Sequence, residues 1–74
     1  MEVTDLVACL AAEWGLPVLS QAEMDEILAF AGEIAHMSER RAAPLACWLV
    51  GRSGRPLSDA LEFVRSIAPT TSSE

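Results

Sequence analysis

Three basic side chains lie within six residues of one another and could together bind an anion. His36, Arg40 and Arg41 belong to the stretch AHMSERRAAPLACWLVG, residues 35–51. Pro44 follows them and is favoured in the first turn of a helix, where free backbone amides attract negative charge. Arginine also suits planar contacts with carboxylate or phosphate. His36, Arg40, Arg41 and Pro44 are therefore a candidate site for a phosphate or for a carboxylate of a partner protein.

The same residues also fit a structural corner between two helices. A histidine in the last turn of a helix can bond a terminal carbonyl and favours the helix dipole when charged. The two arginines can pair with the acidic first part of the chain, because residues 1–39 contain eight carboxylates and no Lys or Arg. Exposed pairs of this kind contribute only about 0–1 kcal/mol. The sequence is compatible with both interpretations, a binding site and a structural corner.

An unbroken apolar run, residues 45–50, follows the corner. A helix that is apolar all round is typically buried on several sides. We therefore expect this segment to be the central helix of the domain or part of an interface, and the central position is the prediction. The interface alternative would use Leu45, Leu49, Arg52 and Trp48, with an exposed Trp48 as its hot spot.

The types and spacing of the remaining residues give little support for catalysis. There is one histidine, and no Ser–His–Asp or Cys–His spacing that would identify a nucleophile and its base. Cys9 and Cys47 have no metal-ligand spacing, and we expect both to be buried free thiols. The sequence thus predicts neither an enzyme nor a metal or cofactor site.

Composition excludes some classes of partner. The net charge of −6 disfavours nucleic acid, because a DNA-binding protein needs a basic face. No apolar run approaches the roughly 20 residues of a membrane-spanning helix, and the first residues lack the basic region of a signal peptide. We expect a cytoplasmic protein with no nucleic-acid or membrane partner.

Local signals predict four short helices. Helix 1 is expected over about residues 5–14, with Thr4 as its N-cap and Gly15 and Pro17 ending it. Ser20 and Glu23 fit a capping box at the start of helix 2. Helix 3 is predicted to begin at Pro44. Helix 4 is predicted to begin after Ser58 and to stop at Pro69. The prediction is an all-α compact bundle, one domain over residues 1–69 with a disordered tail at 70–74.

The central stretch also resembles a known family of small actinobacterial proteins or domains of unknown function. The shared motif is Ala-His, three residues, Arg, one residue, then Ala-Ala-Pro-Leu and an apolar run closing on glycine, here Ala35, His36, Arg40, Ala42, Ala43, Pro44, Leu45 and Gly51. The family commonly has proline after the arginine, where this chain has Arg41. Members are often found near, or attached to, molybdenum-cofactor guanylyltransferases and formate-dehydrogenase maturation proteins. The resemblance implies a helical accessory domain connected with cofactor maturation.

Two functions from different classes follow as expectations. The first is a non-catalytic accessory module that binds a protein partner, for which the resemblance suggests a molybdoenzyme or its maturation factor. The second is a binder of a small anionic ligand, a nucleotide or cofactor phosphate, at the corner between helices 2 and 3. A homo-oligomeric regulatory protein is a further alternative, because a chain of 74 residues has difficulty burying an apolar helix by itself.

Overall fold

The computed structural model describes residues 1–67 of the chain. These residues fold into four α-helices and contain no β-strand. They are α1 (Val3–Glu13), α2 (Gln21–Met37), α3 (Ala42–Ser53) and α4 (Leu57–Ile67). The predicted all-α bundle of four short helices is confirmed. The predicted stop at Pro69 and the tail at 70–74 lie outside the described residues. No helix within residues 1–67 is long and apolar enough to cross a membrane.

The beginning of α2 is the capping box expected from the sequence. The backbone N–H of Glu23 donates to Ser20 Oγ over 3.1 Å, and the backbone N–H of Ser20 donates to Glu23 Oε1 over 2.8 Å. Two amides that the helix leaves without partners are thereby satisfied. The direction in which α2 leaves the preceding loop is consequently set by local hydrogen bonds.

The end of α1 also matches its prediction. Gly15 has φ of 66°, a left-handed conformation that residues with a Cβ rarely adopt. Its N–H donates to the carbonyl of Ala12 at 3.3 Å, and the N–H of Leu16 donates to the carbonyl of Ala11 at 2.8 Å. This pair of bonds is a Schellman motif. It turns the chain into the connection that leads to α2.

Three helix starts were predicted wrongly. α1 begins at Val3 with Glu2 at the N-cap position, so Thr4 lies inside the helix and does not cap it. α3 begins at Ala42 and not at Pro44. A proline at the third position is tolerated because the first-turn amides have no partner within the helix.

At the start of α4, Ser58 lies within the helix and is not its cap. The helix begins at Leu57, and the amides of Asp59 and Ala60 both donate to the carbonyl of Pro56. In α1 and α4 alike, a backbone carbonyl upstream of the predicted polar cap accepts the first helical bond. Each helix therefore starts slightly earlier than its side-chain signal indicates.

The central helix of the bundle is α2, because α3 and α4 both pack against it. Phe30 in the middle of α2 is 1% exposed, and Val64 of α4 is also buried. An ion pair between Glu33 Oε2 and Arg65 Nε, 3.1 Å long, connects the outer edges of α2 and α4. The prediction that the apolar helix α3 forms the centre is wrong.

The core of the domain is very small. Within residues 1–67, only Ala11, Phe30 and Val64 are buried. Large apolar side chains are exposed on every helix and in the connection between α1 and α2. They are Val3, Leu6, Leu10, Trp14, Leu16, Val18, Leu28, Leu45, Trp48, Leu49, Phe63 and Ile67, together with Met1 at the N-terminus. Burial of apolar surface is the main favourable term in folding. A second molecule that covered part of this surface would add to the stability of the fold.

Candidate functional site: the outer face of helix α3

Helix α3 directs small residues inward and large residues outward. Ala42, Ala43, Ala46, Cys47 and Val50 are all partly shielded from solvent. They occupy an arc of roughly 140° on the helix, as expected for the side that packs against α2. The helix thus packs on α2 without using its largest apolar groups.

The opposite arc of α3, about 100° wide, carries the large side chains. Leu45 is 67% exposed, Trp48 61% and Leu49 62%. The guanidinium of Arg52 lies over the Trp48 ring, 5.0 Å from its centroid. We call this surface the α3 stripe, defined by Leu45, Trp48, Leu49 and Arg52. The four residues predicted as an interface therefore lie on one solvent-facing side of one helix.

The basic residues of the corner are all exposed. His36 lies in the last turn of α2, while Arg40 lies in the four-residue connection to α3 and Arg41 at the N-cap position of α3. Arg41 Nε forms an ion pair of 3.3 Å with Glu39, and both side chains are well exposed. A pair as exposed as this one contributes about 0–1 kcal/mol. The corner residues are therefore close in sequence, and the structure shows that their side chains are exposed.

The first amides of α3 are already engaged in the structure. The N–H of Ala42 donates to the carbonyl of Glu39 at 3.0 Å, and that of Ala43 donates to the carbonyl of Arg40 at 3.2 Å. Pro44, the next residue, is exposed and has no N–H. An anion at this corner would therefore depend on the exposed His36, Arg40 and Arg41 side chains. Anion binding at this corner remains a prediction. The N-terminus of α3 would contribute little to it, because the amides of Ala42 and Ala43 already have acceptors.

A second exposed apolar surface lies on α1 and on Trp14, the C-cap residue that follows it. Val3, Leu6, Leu10 and Trp14 recur at helical spacing and are between 38% and 70% exposed. We call this surface the α1 stripe. Together with the connection to α2, the end of the helix borders a shallow apolar groove of about 440 Å³. The helical spacing places these residues on one face, and no other helix within residues 1–67 packs extensively against α1.

The two cysteines differ in exposure. Cys9 in α1 is exposed, which corrects the prediction that both thiols are buried, whereas Cys47 on the inner side of α3 is half-buried. Burial raises the pKa of the Cys47 thiol, because the thiolate loses solvation. Residues 1–67 also contain no cluster of three or more His, Cys, Asp or Glu that could hold a metal ion.

Comparison with known proteins identifies a family but not an activity. The family model for a domain of unknown function, DUF6457, matches residues 1–70. No curated protein and no solved structure shows significant similarity to the chain. The family match agrees with the expected domain of unknown function and extends over all four helices.

Proposed function

Since the chain belongs to the DUF6457 family, whose function is unknown, we propose a function from its geometry: a non-catalytic interaction module that binds a protein through the α3 stripe. The observation that carries the proposal is the inverted arrangement of α3. Its small residues pack inward, while Leu45, Trp48 and Leu49 face solvent at 61–67% exposure. Tryptophan and arginine are the residue types most enriched in interface hot spots, and here Arg52 stacks on Trp48.

The sequence supports a binding role over a catalytic one. The only histidine is exposed at the end of α2, and the sequence has no spacing typical of a nucleophile and its base. The exposed stripe is apolar at its centre and carries an arginine at one end. A surface of that composition is suited to a protein partner with apolar side chains and a neighbouring carboxylate.

The family resemblance of the central motif suggests which partner to test first. A molybdoenzyme or a maturation factor for it, such as a molybdenum-cofactor guanylyltransferase or a formate-dehydrogenase maturation protein, is the proposed partner. In this assignment the domain acts as a non-catalytic accessory module in the cytoplasm, and any catalysis is carried out by its partner. His36, Arg40, Arg41 and Pro44 would border the contact.

A titration with a matched pair of variants tests the proposal. Leu45 and Leu28 are both 67% exposed, but only Leu45 belongs to the α3 stripe. Each purified partner from the same organism is titrated by calorimetry against wild type, Leu45→Asp and Leu28→Asp. We expect Leu45→Asp to weaken binding at least tenfold, or about 1.4 kcal/mol, because its carboxylate would lose solvation within an apolar contact, whereas Leu28→Asp should leave binding unchanged. Equal effects of the two substitutions, or no binding by wild type, would contradict the proposal.

A further inference from the structure

We infer that the α3 stripe also binds a second copy of this chain, and that the surface it recognises is the α1 stripe of that copy. The inference deepens the proposed function, because it rests on the α3 stripe being a docking surface. In a symmetric pair each copy would offer its α1 to its partner's α3, which gives a closed two-fold dimer. Four properties of the two surfaces support this pairing: their exposure, their charge, the spacing of their charged residues and their area.

Neither surface is covered by another helix within residues 1–67. α1 makes no extensive contact with the other three helices, whereas α3 and α4 both pack on α2. Val3 is 70% exposed and Trp14 65%, values similar to those of the α3 stripe. Each stripe is therefore an apolar helix face without a partner in residues 1–67.

The charges near the two stripes are opposite in sign. α1 and its N-cap position carry Glu2, Asp5 and Glu13 and no Lys or Arg. By contrast, residues 39–58 carry four arginines and a single carboxylate, Glu39, whose exposed ion pair with Arg41 leaves this region positive by three charges. Complementary charge guides association and penalises wrong pairings, since like charges brought together cost several kcal/mol. Contact between two α3 stripes or two α1 stripes is accordingly disfavoured relative to contact of α1 with α3.

The charged residues also have the same spacing on the two helices. Glu2 and Glu13 are eleven residues apart, as are Arg41 and Arg52. At 1.5 Å per residue each pair spans about 16 Å along its helix axis. Glu2 and Glu13 lie along one edge of the α1 stripe. Arg52 is one end of the α3 stripe, and Arg41, at the N-cap position of α3, flanks the other end. When the helices lie side by side, both carboxylates can reach an arginine.

The area available is close to what a stable dimer needs. The two stripes of one copy present seven large apolar side chains, each offering on the order of 100 Å² at its observed exposure. They are Val3, Leu6, Leu10 and Trp14 on α1 and Leu45, Trp48 and Leu49 on α3. Their sum is on the order of 700 Å² per copy, and standard interfaces bury about 800 Å² per partner. The flanking charged residues would supply the remainder.

Charge reversal with rescue tests the inference. Sedimentation velocity is measured for wild type, for Arg41→Glu/Arg52→Glu and for Glu2→Arg/Glu13→Arg, with circular dichroism as the check on folding. We expect a wild-type dimer and, for each reversed variant, a dissociation constant raised at least about a hundredfold. An equimolar mixture of the two reversed variants should dimerise again, because both α1–α3 contacts in the mixed pair unite opposite charges.

Control variants separate this pairing from a general effect of charge. Asp25→Arg/Glu62→Arg changes the net charge by the same amount as Glu2→Arg/Glu13→Arg, but on exposed positions of α2 and α4 outside both stripes, and should leave the dimer intact. If a reversed variant does not fold, Arg41→Gln/Arg52→Gln removes the charges without repulsion and should weaken the dimer less. A monomeric wild type, or a mixture that stays monomeric while its components are folded, would overturn the inference.

The outcome is distinguishable from that of the proposed function. Glu2→Arg/Glu13→Arg leaves the α3 stripe untouched, so this variant should be monomeric and still bind a maturation protein. Partner binding by a chain that never dimerises would overturn only the dimer. A rescued dimer with no affinity for any maturation protein or molybdoenzyme would overturn only the proposed partner.

Discussion

The contrast between two large aromatic side chains gives the sharpest prediction about the fold. Phe30 in α2 is 1% exposed, whereas Trp48 in α3 is 61% exposed. Each can be replaced by alanine, which keeps the helix and removes the ring. If α2 is the central helix and α3 presents its large residues to solvent, Phe30→Ala must cost far more stability than Trp48→Ala, although tryptophan is the larger residue.

The expected magnitudes follow from the exposures. Replacing a fully buried phenylalanine by alanine costs about 3–5 kcal/mol, from lost burial and from the cavity. For a domain of this length the whole free energy of unfolding is about 4–11 kcal/mol. Because only two-fifths of Trp48 is shielded, its lost burial amounts to about 1 kcal/mol. Its contact with Arg52 adds about 0.5–1 kcal/mol. Phe30→Ala should therefore lower the free energy of unfolding by about 3–5 kcal/mol, and Trp48→Ala should lower it by about 1–2 kcal/mol.

Urea unfolding followed by circular dichroism measures both costs. Protein concentration is kept low, because association would add stability that depends on concentration and on the α3 stripe. The expected result is a large fall in the unfolding midpoint for Phe30→Ala and a small one for Trp48→Ala. Equal losses in dilute solution would place Trp48 in the core and would refute the arrangement of α3.

Three further predictions concern helix starts, a helical glycine and the thiols. Ser20→Ala should lower the free energy of unfolding by about 1 kcal/mol, because it removes the cap of α2, while Ser58→Ala should change it by less than about 0.5 kcal/mol; equal losses in urea unfolding would contradict the cap assignments. Gly32→Ala should raise the free energy of unfolding by up to about 1 kcal/mol, because alanine favours the helix and its Cβ meets nothing within 4 Å. A destabilised variant in thermal unfolding would show that another group covers this position. Iodoacetamide should modify Cys9 before Cys47, as followed by mass spectrometry, because Cys47 is half-buried and its thiol pKa is raised. Higher pH should bring the modification rate of Cys47 closer to that of Cys9, because more of the Cys47 thiol becomes thiolate. Faster modification of Cys47 than of Cys9 would contradict the burial of Cys47.

Signals confined to a few neighbouring residues were predicted well from the sequence. The capping box of Ser20 and Glu23 and the left-handed Gly15 depend on hydrogen bonds within three to five residues. Such bonds need no knowledge of the rest of the fold. The starts at Thr4 and Ser58 were missed because upstream backbone carbonyls extend those helices beyond the polar side chain that was expected to cap them.

Burial was predicted less well, for a reason visible in α3. A helix that is apolar all round has no polar side to show which face is inward. The small residues Ala43 and Ala46 lie on the partly shielded side of α3, and Trp48 lies on the exposed side. The four residues of the α3 stripe could be grouped from their spacing. Their exposure depends on the packing of α3 against α2, which periodicity does not specify.

The fluorescence of Trp48 tests the central claim most directly. In a Trp14→Phe variant Trp48 is the only tryptophan, and phenylalanine keeps the α1 stripe apolar. Iodide quenching is measured in dilute solution, then at increasing protein concentration, and finally with a saturating partner. Strong quenching in dilute solution, followed by protection on self-association or on partner binding, is the result predicted for a docking surface. Protection at every dilution in a monomer, or full exposure under all conditions, would contradict it.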